Sequence, residues 1–163
     1  MCMKIKSRHH LKGSDARKVI AKIEPLLDDP SRLRRSSLEM AISDEGVDLI
    51  FVDGRPLMMI VEEQPFFTVL GAIELMPKKR LVVVDAGAVR FVVNGADIMK
   101  PGIVSADPQI AVGDLVVIAE ERHQKPLAIG RALVAGTDMK GEGKAVKSLH
   151  HVGDAIWNEM EGC

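Results

Sequence analysis

Apolar positions change their spacing along this chain, and the changes mark out elements. Ala16, Val19, Ile20, Ile23 and Leu27 recur at helical intervals and predict one amphipathic helix. Ser14 can cap it, Asp15 favours its first turn, and Asp28-Asp29-Pro30 stops it. Residues 38–42 read as a strand. Residues 47–52 and 57–61 read as a hairpin with Asp53-Gly54 as its turn. Residues 66–75 are apolar up to Glu74 and read as a helix that stops at Pro77.

Beyond a linker at Pro77-Lys78-Lys79 the texture becomes strand-rich and glycine-punctuated. Runs at 81–84, 103–106, 115–119, 127–134 and 145–149 read as short strands of a small barrel. Gly113-Asp114 leads tightly into one of them. Gly130 sits inside another, where a bulge, a corner or close backbone contact is expected. Residues 89–93 are divided: β-branching favours a strand, but Asn94-Gly95 resembles a helix C-cap. The stretch GADIMKPGIV at 95–104 follows, either a plain turn or a docking surface.

Composition narrows the class. A chain of 163 residues, 47% hydrophobic and 28% charged, fits one ordinary folded, soluble domain or two small ones. Its longest apolar runs are far short of a bilayer span, and no apolar stretch follows Lys4, Lys6 and Arg8 as in a secretory signal. Cys2 and Cys163 make no disulfide framework, so a reducing, cytoplasmic setting is expected, with a terminal bridge as the alternative. Net charge is −1, yet residues 1–22 carry seven Lys/Arg against Asp15 alone, and Arg32, Arg34 and Arg35 follow. Residues 80–157 are balanced, nine bases to nine acids, so any polyanion binding is local. A solvated basic helix face is the plain alternative.

Catalytic chemistry is thin. His9-His10 and His150-His151 are adjacent pairs that point apart on a strand, so neither is a natural chelate, and no metal or cofactor is expected. Glu62-Glu63 and Glu120-Glu121 read as solvated strand ends. Gly141-Glu142-Gly143-Lys144 lacks the spacing of a phosphate loop and reads as a turn. With four Phe, one Trp and no Tyr, the chain cannot stack a row of bases; RNA would be met through backbone and shape.

The run from Val84 to Ile103, VDAGAVRFVVNGADIMKPGI, resembles the opening of a PUA domain, and the later Gly113-Asp114 and Ala128-Ile129-Gly130-Arg131-Ala132 resemble its further landmarks. The Asp53-Gly54 hairpin, the Gln64-Pro65 step and the ending His150…Asp154…Trp157 are similar to the malignant T-cell amplified sequence family, whose domain pair ligatin also carries. The chain looks like an archaeal relative. The resemblance implies an α+β chain: a small α/β pre-PUA domain over 1–77, then a PUA-type β pseudo-barrel with short helices over 78–163. It implies a helix at 88–94 and RNA docking on Arg90, Gly95, Ala96, Lys100, Lys144 and Lys147, with Pro101-Gly102 as a rigid type II turn. Plainer roles stand beside these: Gly95 as a cap only, Lys144 and Lys147 solvated, Arg90 paired with Asp85 or Asp97. Trp157 is expected to close the barrel end and His150 to satisfy a buried polar group. The implied function is non-enzymatic binding of structured RNA (rRNA or tRNA) and of the small ribosomal subunit, in translation initiation, re-initiation or recycling. A partner like density-regulated protein is also implied. The alternatives are an RNA-modification enzyme or its targeting subunit, of pseudouridine or archaeosine type, and a protein-binding module. Residues 1–77 are too few for a synthase domain.

Overall fold

The computed structural model describes residues 3–44 and 46–160, so the expectation for Cys2 and Cys163 lies outside the described residues. Among the described residues, two sheets organise the chain. The first is an antiparallel meander paired in chain order: β1 (Ile5–His10), β2 (Leu38–Ser43), β3 (Asp48–Val52), β4 (Arg55–Val61) and β5 (Gln64–Phe67). Helices α1 (Gly13–Ile23), α2 (Ser31–Arg34) and α3 (Val69–Leu75) accompany it. The second sheet holds β6 (Leu81–Val84), β7 (Ile98–Met99), β8 (Ile103–Ala106), β9 (Leu115–Glu120), β10 (Pro126–Ala132) and β11 (Lys144–His151), in the order β7-β11-β10-β9-β6-β8. Its edge strands β7 and β8 are consecutive in the chain and joined by one 3-10 turn, Lys100–Gly102, which brings the sheet close to a barrel. Two short helices, α4 (Val89–Val92) and α5 (Ala155–Met160), complete it. This is the expected α+β architecture with a pseudo-barrel.

Local chemistry explains most elements. Asp53 (φ 49°) and Gly54 (φ 84°) both take left-handed backbone, as a type I′ hairpin turn demands. Two expectations need correcting. Helix α1 starts at Gly13 with Lys12 in the cap position and no side-chain cap bond, so Ser14 lies inside the first turn; Leu27 falls beyond the helix, after a 3-10 turn. The apolar run 66–75 is not one helix. Phe66 and Phe67 pair with Met59 and Met58 of β4. The helix begins only after Thr68, whose Oγ1 accepts the Gly71 N–H at 3.0 Å and donates to the Pro56 carbonyl at 2.8 Å.

Two apolar clusters form the core. One lies within the second sheet, around Val82, Val92, Ile118, Leu127 and Val146. The other belongs to the first sheet and its helices, and also takes in Leu115, Val117, Ile129 and Ile156 from the second half. Each fully buried Leu, Ile or Phe contributes about 1.5–3 kcal/mol, so the two sheets are joined by core and not only by chain. The linker is tied down as well: Pro77 is buried, and the Lys78 N–H donates to the Leu26 carbonyl at 3.0 Å. Trp157 packs against this shared cluster, which includes Leu115, Val117 and Ile129 of the second sheet.

Candidate nucleic-acid interface

Within 88–94 the divided segment resolves as the one-turn helix α4, shorter than expected, with Ala88 and Val93 as its caps and a chain shaped as a stop after it. The Gly95 N–H donates to the Val92 carbonyl and the Ala96 N–H to the Phe91 carbonyl, both at 3.0 Å. This is the Schellman pair of bonds, with Gly95 at φ 89° in the left-handed position. A Cβ there would lie 2.9 Å from His151 Nε2, so glycine serves both the stop and the packing of His151. Pro101-Gly102 is not a type II turn. Both lie in the 3-10 turn, and Gly102 is not among the glycines with positive φ, which that turn type requires.

Between α4, β7, the 3-10 turn and the start of β11 lies a groove of about 690 Å³. Its walls are mostly apolar, including Ala88, Phe91, Ala96, Met99 and Pro101, with Asp85, Asp97 and Lys144 as its charged groups. Phe91 and Met99 are large apolar side chains left 53% and 45% exposed, and both line this groove. The sequence reading missed them. The available signal was Phe91 beside Val92 on a helix of one turn, where only one of the two can face inward.

The six expected residues are partly brought together. Ala96 and Lys144 line the groove, and Lys100 stands between the lining residues Met99 and Pro101. Arg90 lies exposed on α4 with its guanidinium 4.7 Å from the Phe91 ring centroid. Arg90 makes no ion pair with Asp85 or Asp97. Asp85 instead accepts the Ala88 N–H at 2.9 Å, and Asp97 pairs with Lys144 at 3.2 Å. The Ser148 N–H holds the Asp97 carboxyl below the usual range; burial opposes this, and Lys144 and then Lys147 reinforce it. Gly95 sits under His151, and Lys147 is exposed on β11 outside the lining.

Behind the groove, β11 ties the two halves together. Gly130 in β10 marks a register shift against β11, and a Cβ there would come 2.4 Å from Val146 Cγ1, so close backbone contact is enforced. His150 is fully buried. Its Nε2 accepts the Val69 N–H of α3 at 3.1 Å, which leaves the Nδ1–H to donate to Asp154 at 2.8 Å. The expectation that His150 satisfies a buried polar group is met by this Val69 N–H. Burial raises the Asp154 carboxyl, but His150 and the N–H groups of Trp157 and His151 outweigh it and hold the group below its ordinary value. Among the described residues, no cluster of His, Cys, Asp and Glu is arranged to hold a metal, and no helix is long and apolar enough to cross a membrane.

The PUA domain model matches residues 80–153. An uncharacterized protein of Methanocaldococcus jannaschii is 39% identical, with 96% of this chain and 98% of that protein covered. Translation machinery-associated protein 20 of Saccharomyces cerevisiae is 31% identical, covering 94% and 93%. Malignant T-cell-amplified sequence 1 of Rattus norvegicus is 27% identical over 83% of this chain and 78% of that protein. Among solved structures, a hypothetical protein of Pyrococcus horikoshii superposes with a TM-score of 0.85 at 36% identity, covering 94% of this chain and 99% of that one. Likeness of this extent, running through both halves, shows that the chain belongs to the family of translation machinery-associated protein 20 and the malignant T-cell-amplified sequence proteins.

Proposed function

We propose that this chain is a non-enzymatic, cytoplasmic RNA-binding protein that works with the small ribosomal subunit in translation initiation, re-initiation or recycling. One observation carries the reading: a groove beside a glycine-stopped helix, inside a PUA domain, in a chain similar end to end to translation machinery-associated protein 20. Two functional units, residues 1–77 and 78–163, divide the work, with the groove on the second.

Structured RNA, rRNA or tRNA, fits the groove as its occupant. The apolar walls suit a base or ribose edge. Two carboxylates against Lys144 make the groove interior a poor seat for phosphate, which would lie outside it on Arg90, Lys100 and Lys147. Gly95 holds the turn that presents Ala96 to the groove. A density-regulated-protein-like partner fits the same reading.

The test is a double charge reversal of cations outside the groove, Lys100→Glu with Lys147→Glu, read by fluorescence anisotropy on a labelled RNA hairpin. Losing two cations and adding two anions is expected to weaken binding by about tenfold or more at low salt, with circular dichroism unchanged. Unchanged affinity would place the RNA on another face.

A further inference from the structure

The groove leaves the chain's largest electrostatic feature unused. Residues 1–35 carry ten Lys/Arg against four Asp/Glu, a net +6 in a chain whose total is −1. The structure concentrates this charge on one half. Strand β1 is an outer edge of the first sheet, and its residues from Lys6 to His10 are all exposed. Helix α1 turns Ala16, Val19, Ile20 and Ile23 toward the core, which leaves Arg17, Lys18 and Lys22 on its solvent side.

Neutralisation separates the structural cations from the free ones. Arg8 pairs with Glu39, Arg32 with Glu74 and Arg34 with Glu24. Lys6, Lys12, Arg17, Lys18 and Lys22 have no ion pair among the described residues. A charged edge strand with a bulge, as β1 has between Ile5 and Ser7, is a known guard against edge-to-edge pairing. That accounts for β1 but not for three unpaired cations on α1, which has no edge to protect.

Resting on the RNA-binding reading above, we propose that β1 and α1 form a second RNA-contact surface, separate from the groove, that takes the phosphodiester backbone. Charge complementarity selects the occupant: exposed ammonium and guanidinium groups without an ion pair and without an aromatic platform suit a row of phosphates and not bases. The division of labour follows. The charge-balanced second half recognises local shape, while the basic half supplies the long-range attraction that the groove cannot generate.

The experiment compares the full chain with an Arg17→Glu/Lys18→Glu/Lys22→Glu variant on a fluorescein-labelled RNA hairpin, from about 50 to 200 mM salt. All three positions are exposed, and circular dichroism verifies the fold. At low salt the variant is expected to bind at least about tenfold more weakly, with a salt slope shallower by about 2–3. Unchanged affinity and slope overturn the proposal. So does a variant that keeps RNA affinity but loses a protein partner in a ribonuclease-resistant pull-down. A wild-type chain that binds no RNA fails the reading of the groove itself, whereas wild-type binding with an unaffected triple variant fails only this surface.

Discussion

At the scale of single residues, His150 links the groove strand to the other half of the molecule. Its ring is fully buried, and both nitrogens are used, one by the Val69 N–H and one by Asp154. His150→Leu keeps the volume roughly but orphans a buried N–H and removes a partner from Asp154. A loss of about 1–3 kcal/mol in unfolding free energy is expected. Urea titration followed by fluorescence of Trp157, the single tryptophan, measures it directly, because that ring packs on the cluster the two halves share. A loss below a few tenths of a kcal/mol would mean the bond is not made. The sequence made a buried role for His150 legible through the resemblance. It could not show that the partner comes from residue 69, since nothing local joins positions 81 residues apart.

Among the elements, the Asp53-Gly54 turn was the most legible and edge strands the least. Asp53-Gly54 declares its hairpin because few residues tolerate two successive left-handed positions. Strand β1 was hidden because it buries no alternating face: only Ile5 is partly covered. Strand β5 was hidden inside an apolar run whose second part is a helix, and pairing with β4 overrode the helical reading of Phe66 and Phe67. The second hairpin turn, Glu62-Glu63, was read as a solvated strand end, yet both residues sit at positive φ, 47° and 67°. Left-handed backbone costs a non-glycine residue about 1–2 kcal/mol, offset in part by glycine's extra freedom when unfolded. Glu63→Gly is therefore expected to stabilise the protein by about 0.5–1 kcal/mol, leaving Glu62 free to pair with Arg131. A thermal midpoint that falls would contradict that backbone geometry.

For the whole molecule, the sequence showed the unequal charge but not what it was attached to. The groove was half legible: Ala96, Lys100 and Lys144 fall at or beside it, whereas Phe91, Met99 and the Asp97–Lys144 pair emerge only when α4, β7 and β11 meet in space. The structure joins an apolar groove and a basic face through a common core, an arrangement that suits the proposed contact with a large, folded polyanion over a broad surface. The central claim is that this polyanion is the small ribosomal subunit. The most direct measurement is co-sedimentation of the full chain with purified small subunits, with and without initiator tRNA, at low and at raised salt. The account expects saturable co-sedimentation at low salt that weakens steeply as salt rises. A chain that stays in the supernatant at low salt, with and without the tRNA, would contradict it.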